Sequence, residues 1–218
     1  MSVIVKSVSK TIRSRRVLDG ISIEVPDGHV VGLEGVNGSG KTMLMRAVCG
    51  LMHVDAGEIF IDGKLLGHDI EIPDSVGILL ESPAFLDGFS GFENLMLLAR
   101  LSGRAGRREV LRALERVGLD PMLKTAYRGY SLGMKQRLGL AAAVMESPAL
   151  MLLDEPMNAL DSDGVELVSR LILEERERGA AVLISCHDGK VLEALSDRVF
   201  LMRDGAIVGV REVGSHAA

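Results

Sequence analysis

Eight residues, Gly35-Val36-Asn37-Gly38-Ser39-Gly40-Lys41-Thr42, constrain this chain more than any other stretch. They follow an apolar run, VVGLE, that reads as a strand, and they open a segment at 41–50 that reads as a helix. A glycine-rich turn between a strand and a helix N-terminus is a ready anion cradle. Glycines let backbone N–H groups wrap around phosphate oxygens, and the helix end adds positive potential. In this GxxxxGK[ST] pattern, Lys41 supplies a point charge for the β- and γ-phosphates and Thr42 a hydroxyl for Mg²⁺. Gly35, Asn37, Gly38, Ser39, Gly40 and Met43 complete the expected nucleotide contacts. The NKxD pattern that reads guanine is absent, so ATP is the expected nucleotide.

The surrounding pattern predicts an α/β fold. Short apolar runs at 2–8, 20–25, 29–34, 76–80, 149–156, 180–185, 198–202 and 206–210 read as strands, and 57–66 as a hairpin turning at Asp62-Gly63. Segments at 92–102, 106–117, 134–146, 164–178 and 188–195 read as helices. Strand–helix alternation argues for a mostly parallel sheet core, and the helix-rich stretch 84–146 reads as an inserted subdomain. A chain of 218 residues fits one domain, 1–218, with that insertion. A net charge of −5 argues against a large nucleic-acid footprint. Two cysteines, Cys49 and Cys186, make no disulfide framework and read as buried free thiols in a reducing compartment. No apolar run is long enough to span a bilayer, and the N-terminal residues lack a signal peptide's apolar stretch. The expectation is a cytoplasmic protein that reaches a membrane only through another chain.

A second site is read at Leu150-Met151-Leu152-Leu153-Asp154-Glu155. Its apolar run ends in two carboxylates, as a fully buried parallel strand would where α/β ligand crevices form. Asp154 is expected to hold Mg²⁺, and Glu155 to polarise an attacking water. Alone, the same pattern also fits a strand that ends in a solvated turn.

Between these sites, Tyr130-Ser131-Leu132-Gly133-Met134-Lys135-Gln136-Arg137 resembles the signature motif of ABC-transporter ATPases. Leu132 and Met134 depart from LSGGQ; Ser131, Gly133, Gln136 and Arg137 keep the pattern. The motif order also matches that family, with Pro156-Met157-Asn158-Ala159-Leu160-Asp161 similar to its D-loop and Ser185-Cys186-His187 similar to its switch histidine. The resemblance spans nearly the whole chain. It implies a P-loop NTPase (RecA-like) core with an N-terminal antiparallel β subdomain and an inserted α-helical subdomain. It also implies a head-to-tail dimer with two ATPs between the subunits. Ser131 and Gly133 would then reach the partner's γ-phosphate in trans. His187 would hold Glu155 and the water, and Asp161 would couple the two sites.

Two positions depart from that family. Ile12 stands where it usually has an aromatic residue stacked on adenine, which leaves apolar contact with help from Val17; the alternative is a plain edge-strand residue. Glu81, in GILLESP, stands where the family usually has a glutamine that reaches Mg²⁺ and the water; the alternative is a solvated loop acid. Glu81 and the signature resemble the bacitracin and lantibiotic self-protection exporters. The implied partners are a second ATPase copy and a separate integral membrane permease, with the chain peripheral at the inner face of the cell membrane. Competing readings are a soluble ABC-type ATPase of cofactor assembly, or a nucleotide-dependent binding switch. Phe85, Phe89 and Phe92 read as a groove for a permease helix or as local core. Arg108, Arg112 and Arg116 read as a basic stripe that is either a solvated helix face or a contact with lipid headgroups.

Overall fold

A computed structural model describes residues 1–81 and 83–213. Two sheets divide the strands. Six strands run in the order β10-β9-β3-β8-β7-β6: β3 (Val30–Glu34), β6 (Val76–Leu79), β7 (Leu150–Asp154), β8 (Ala181–Ser185), β9 (Arg198–Arg203) and β10 (Ala206–Glu212). All neighbours in it are parallel except the β9–β10 edge pair. The smaller sheet is antiparallel, in the order β2-β1-β4-β5, from β1 (Val3–Ile12), β2 (Arg15–Val25), β4 (Ala56–Ile61) and β5 (Lys64–Leu65).

Side-chain alternation explains why the parallel strands lie in the centre. Every residue of β7 and β8 is buried. Leu150 and Leu152 pack on one side of β7, with Leu44, Met45 and Val48 of helix α1 (Lys41–Val48) and the antiparallel sheet. Met151 and Leu153 pack on the other, with α4 (Leu132–Val144), α5 (Ser162–Glu177) and α6 (Gly189–Leu195). Each fully buried leucine contributes about 1.5–3 kcal/mol, so a polar residue on either face would cost as much. A strand covered on both faces must read as a continuous apolar run, as these do.

Between β6 and β7 the chain forms α2 (Gly91–Ser102), α3 (Arg107–Arg116), a 3-10 turn at Tyr127–Gly129 and α4. Ser90 and Glu93 form a capping box on α2, a device worth about 1 kcal/mol. Buried Asn94 bonds the 86–90 loop through both ends of its amide. Two of the three phenylalanines enter the local core: Phe85 packs edge-on against Tyr127 at 5.4 Å, and Phe92 lies under Arg107 at 4.8 Å. Phe89 remains exposed.

The structure differs from the sequence reading at several boundaries. β1 continues to Ile12 and β2 starts at Arg15, because Arg13 and Ser14 take left-handed φ values of 47° and 66° and close a two-residue hairpin. The run TIRSRR carries too much charge to read as strand. Helix α4 begins at Leu132, two residues before its expected start, because Ser131 caps it by accepting from Met134 N–H. The basic stripe loses Arg116, which donates to Glu174 at 2.9 Å and to buried Glu175 at 2.7 Å. Both cysteines are buried and free. Among the described residues, no helix is long and apolar enough to cross a membrane.

Candidate functional site

The Gly35–Thr42 loop leaves β3 and enters α1 through Gly40, whose φ of 109° disfavours any side chain. A Cβ there would stand 2.8 Å from the Val17 carbonyl. Among the described residues no side chain caps this helix, so its first N–H groups face the cavity above the loop. That cavity holds about 410 Å³. Asn37, Gly38, Gly40, Lys41, Thr42 and Met43 line it, as the sequence expects. Gly35 and Ser39 do not. Ser39 turns inward, with its hydroxyl buried and without a hydrogen-bond partner among the described residues. Lys41 is largely buried and donates to the Gly35 and Val36 carbonyls at 2.6 and 3.3 Å.

β7 and β8 deliver the carboxylates. Asp154 lies in register with Ser185, whose hydroxyl donates to Oδ1, while Thr42 Oγ1 donates to Oδ2. Thr42 and Asp154 are hard oxygen donors bonded to each other at the cavity wall. Among the described residues no cluster of three His, Cys, Asp or Glu is preformed for a metal. That set fits a cation such as Mg²⁺, which is usually held by one or two protein oxygens together with substrate phosphates.

Glu155 follows β7 directly, with a left-handed φ of 50°. Its N–H donates to the Ser185 carbonyl and hydroxyl at 3.2 and 3.0 Å, and its carbonyl accepts from Gln136 Nε2 at 3.0 Å. These three contacts hold a backbone conformation that costs a non-glycine residue about 1–3 kcal/mol, and they turn the side chain back into the cavity. Oε2 accepts from His187 N–H at 3.1 Å. Oε1 lies 3.2 Å from His187 Nε2 but off the direction of a hydrogen bond, so it is buried without a hydrogen-bond partner among the described residues. Burial pushes the Glu155 carboxyl above its usual range, against the pull of His187 and Lys41. A buried carboxylate oxygen with no partner, facing a phosphate loop, is where a water would be held and deprotonated.

The other expected residues fall at different distances from this chemistry. Glu81 lines the cavity, with a left-handed φ of 59°, and pairs with Arg46 of α1 at 2.7 Å. Val17 lines it as well. Ile12 does not; it ends β1 with its side chain partly exposed. Ser131 and Gly133 are off the cavity wall of their own chain, and Gly133 lies against the Ala159 carbonyl. Asp161 caps α5, accepting from Gly164 N–H at 2.9 Å, and stands 3.7 Å from Arg137. Sequence reasoning missed Arg15 and Asn158 on the wall, and the tethers Ser185 and Gln136 behind it. Ser185 left a trace as a polar residue ending an apolar strand, Gln136 as a matching position of the signature-like motif and Asn158 as part of the D-loop-like run; Arg15 left none.

The sequence model of the ABC transporter family matches residues 18–158. The chain is 40% identical over 203 residues to the ABC transporter ATP-binding protein YybJ of Bacillus subtilis, covering 93% of each. It is 37% identical to the bacitracin transport ATP-binding protein BcrA of Enterococcus faecalis, covering 93% of this chain and 67% of that one. Against the lantibiotic transport ATP-binding protein SrtF of Streptococcus pyogenes it is 30% identical, covering 95% and 90%. The fold matches the ATP-binding cassette MJ0796, solved as a dimer with ADP and Pi, at a TM-score of 0.87, 23% identity and coverage of 97% and 98%.

Proposed function

The chain belongs to the ABC transporter family of ATP-binding domains, and we propose that it is the ATP-hydrolysing subunit that powers a membrane exporter. The observation that carries this is the unpartnered Glu155 oxygen beside His187, in one cavity with Lys41 and Thr42. The loop N–H groups and Lys41 bind the β- and γ-phosphates. Lys41 must release the Gly35 and Val36 carbonyls to do so. Thr42, Asp154 and Glu81 are the residues that would hold Mg²⁺, which neutralises phosphate charge when bound. Glu155 accepts the proton of a water held between it and His187. The water oxygen bonds to the γ-phosphorus, the bond to the β–γ bridging oxygen breaks, and ADP and phosphate leave. The raised affinity of the Glu155 carboxyl for protons suits a general base better than an ordinary surface carboxylate would.

Ser131 and Gly133 are assigned to the cavity of a second copy. Their absence from their own chain's cavity wall supports this, since the N-terminus of α4 then points its positive end at another subunit's γ-phosphate. Asp161 is assigned to the same interface. The membrane partner is a separate permease, and the names of BcrA and SrtF favour a peptide antibiotic as cargo. Phosphate release from Mg²⁺–ATP by the purified chain tests the hydrolytic assignment. Co-purification with an integral membrane protein tests the coupling. No phosphate release in the presence of both partners would overturn it.

Glu81 carries a prediction of its own. Its carboxylate must exchange Arg46 for the cation. Glu81→Gln is expected to bind ATP but to need more Mg²⁺ for half-maximal hydrolysis, because an opposite charge near the metal is lost. Glu81→Ala should be worse, since it also loses the acceptor. Superimposable rate curves against free Mg²⁺ for all three proteins would reduce Glu81 to a solvated loop acid.

A further inference from the structure

An aromatic side chain is the usual surface on which a protein stacks a nucleobase, and this cavity has no Phe, Tyr or Trp; the imidazole of His187 lines it, but beside Glu155 at the catalytic end. The five phenylalanines and two tyrosines of the chain all lie elsewhere. Phe60 sits under Lys6, Phe200 is buried in β9, and the others surround α2 and the 3-10 turn. The carboxylates of β7 must meet the terminal phosphate, so the nucleoside extends the other way, past the loop toward β2. There the wall is Arg15 and Val17. The Arg15 guanidinium lies close to the loop, with Nη2 3.8 Å from where a Gly38 Cβ would be. Its neighbour Arg16 points across the strand and is tied to Asp19 at 2.8 Å, whereas Arg15 makes no ion pair among the described residues. The Arg13–Ser14 turn pairs Arg15 with Ile12, so both side chains leave the same face of the sheet, and of the two it is the longer Arg15 that lines the cavity.

We propose that Arg15 is the platform for the nucleobase: its guanidinium plane stacks on the ring where a protein would otherwise use an aromatic side chain. This inference rests on the nucleotide-binding reading above and concerns its specificity. A guanidinium is planar and weakly hydrated, and it stacks on aromatic faces. Every base has such a face, so the platform holds the nucleoside and discriminates little among bases.

The experiment is a calorimetric titration of Mg²⁺ complexes of ATP, GTP and tripolyphosphate into wild type, Arg15→Ala, Arg15→Lys and Arg15→Phe. Arg15→Ala is expected to weaken ATP and GTP alike, by about two- to thirty-fold, the span of cation–π contacts from exposed to desolvated. Its tripolyphosphate affinity should not change. Arg15→Phe should bind ATP like wild type, because the plane is kept, and Arg15→Lys should recover only part of the loss. Equal losses for ATP and tripolyphosphate would make Arg15 a phosphate clamp and overturn the proposal, as would full recovery by lysine. If wild type binds ATP and Arg15→Ala binds it equally well, the platform alone falls. If wild type binds neither ATP nor tripolyphosphate, the nucleotide site itself falls.

Discussion

Glu155→Gln is expected to bind ATP as the parent chain does and to hydrolyse it at least ~10²-fold more slowly, the usual scale for a positioned base. The substitution keeps shape. The amide oxygen can accept from His187 N–H, and the Ser185 and Gln136 contacts are to the Glu155 backbone, so the strained turn stays in place. What is lost is the ability of the buried, unpartnered oxygen to take a proton. The fold should not suffer, because burial disfavours this charge and the amide has none to bury. With hydrolysis blocked, ATP remains between two copies, so a dimer should accumulate when Mg²⁺–ATP is added. Single-turnover phosphate release measures the first effect and light scattering the second. Normal turnover would remove Glu155 as the base. A mutant that stays monomeric with ATP bound would count against the placement of Ser131 and Gly133 in trans.

The second large effect is expected at Lys41. A charge-assisted hydrogen bond contributes about 1.5–3 kcal/mol, and Lys41 is the cation proposed to reach two phosphates. Lys41→Ala should therefore weaken ATP by about 10²-fold or more and abolish hydrolysis at ordinary ATP concentrations. The structure adds a cost that the motif does not show. Lys41 Nζ holds the loop through the Gly35 and Val36 carbonyls, and the alanine variant leaves both to water. Losing those contacts costs about 1 kcal/mol, which lowers the melting temperature of a domain of this size by about 2–4 °C. Labelled-ATP titration and a thermal melt separate the two losses. Unchanged affinity would refute the phosphate-loop assignment. A melting point that collapses would mean that Lys41 is first of all a structural residue.

Much of the fold was legible in the chain because its central strands are buried on both faces. Such a strand carries polar residues only where they find partners, here at its C-terminal end, so the apolar runs of VVGLE, LMLLD and AVLIS announce themselves. The β1–β2 hairpin was not legible. Its tip is charged, both faces there are solvated, and nothing in TIRSRR alternates, so the strands were read too short. Counting back from the loop points to Ile12, whereas the cavity wall holds its cross-strand partner Arg15. Arg116 misled in a similar way. Helical spacing places it on a solvated stripe, but the partner that buries it, Glu175, lies 59 residues away on α5.

What is contiguous in this protein is written in the chain. A phosphate cradle needs glycines, a lysine and a hydroxyl in one short run, because backbone N–H groups of consecutive residues do the binding. A carboxylate at the end of an apolar run is equally local. The tertiary structure alone decided how these pieces meet. It set Asp154 beside Ser185 and Thr42 through strand register, and it turned Glu155 inward by a left-handed backbone that Ser185 and Gln136 hold. It also left Ser131 and Gly133 outside their own cavity and brought Arg15 into it. Each of these depends on groups far apart in sequence whose distances are fixed only when both sheets have packed against α1, and side-chain spacing along the chain carries no record of that packing.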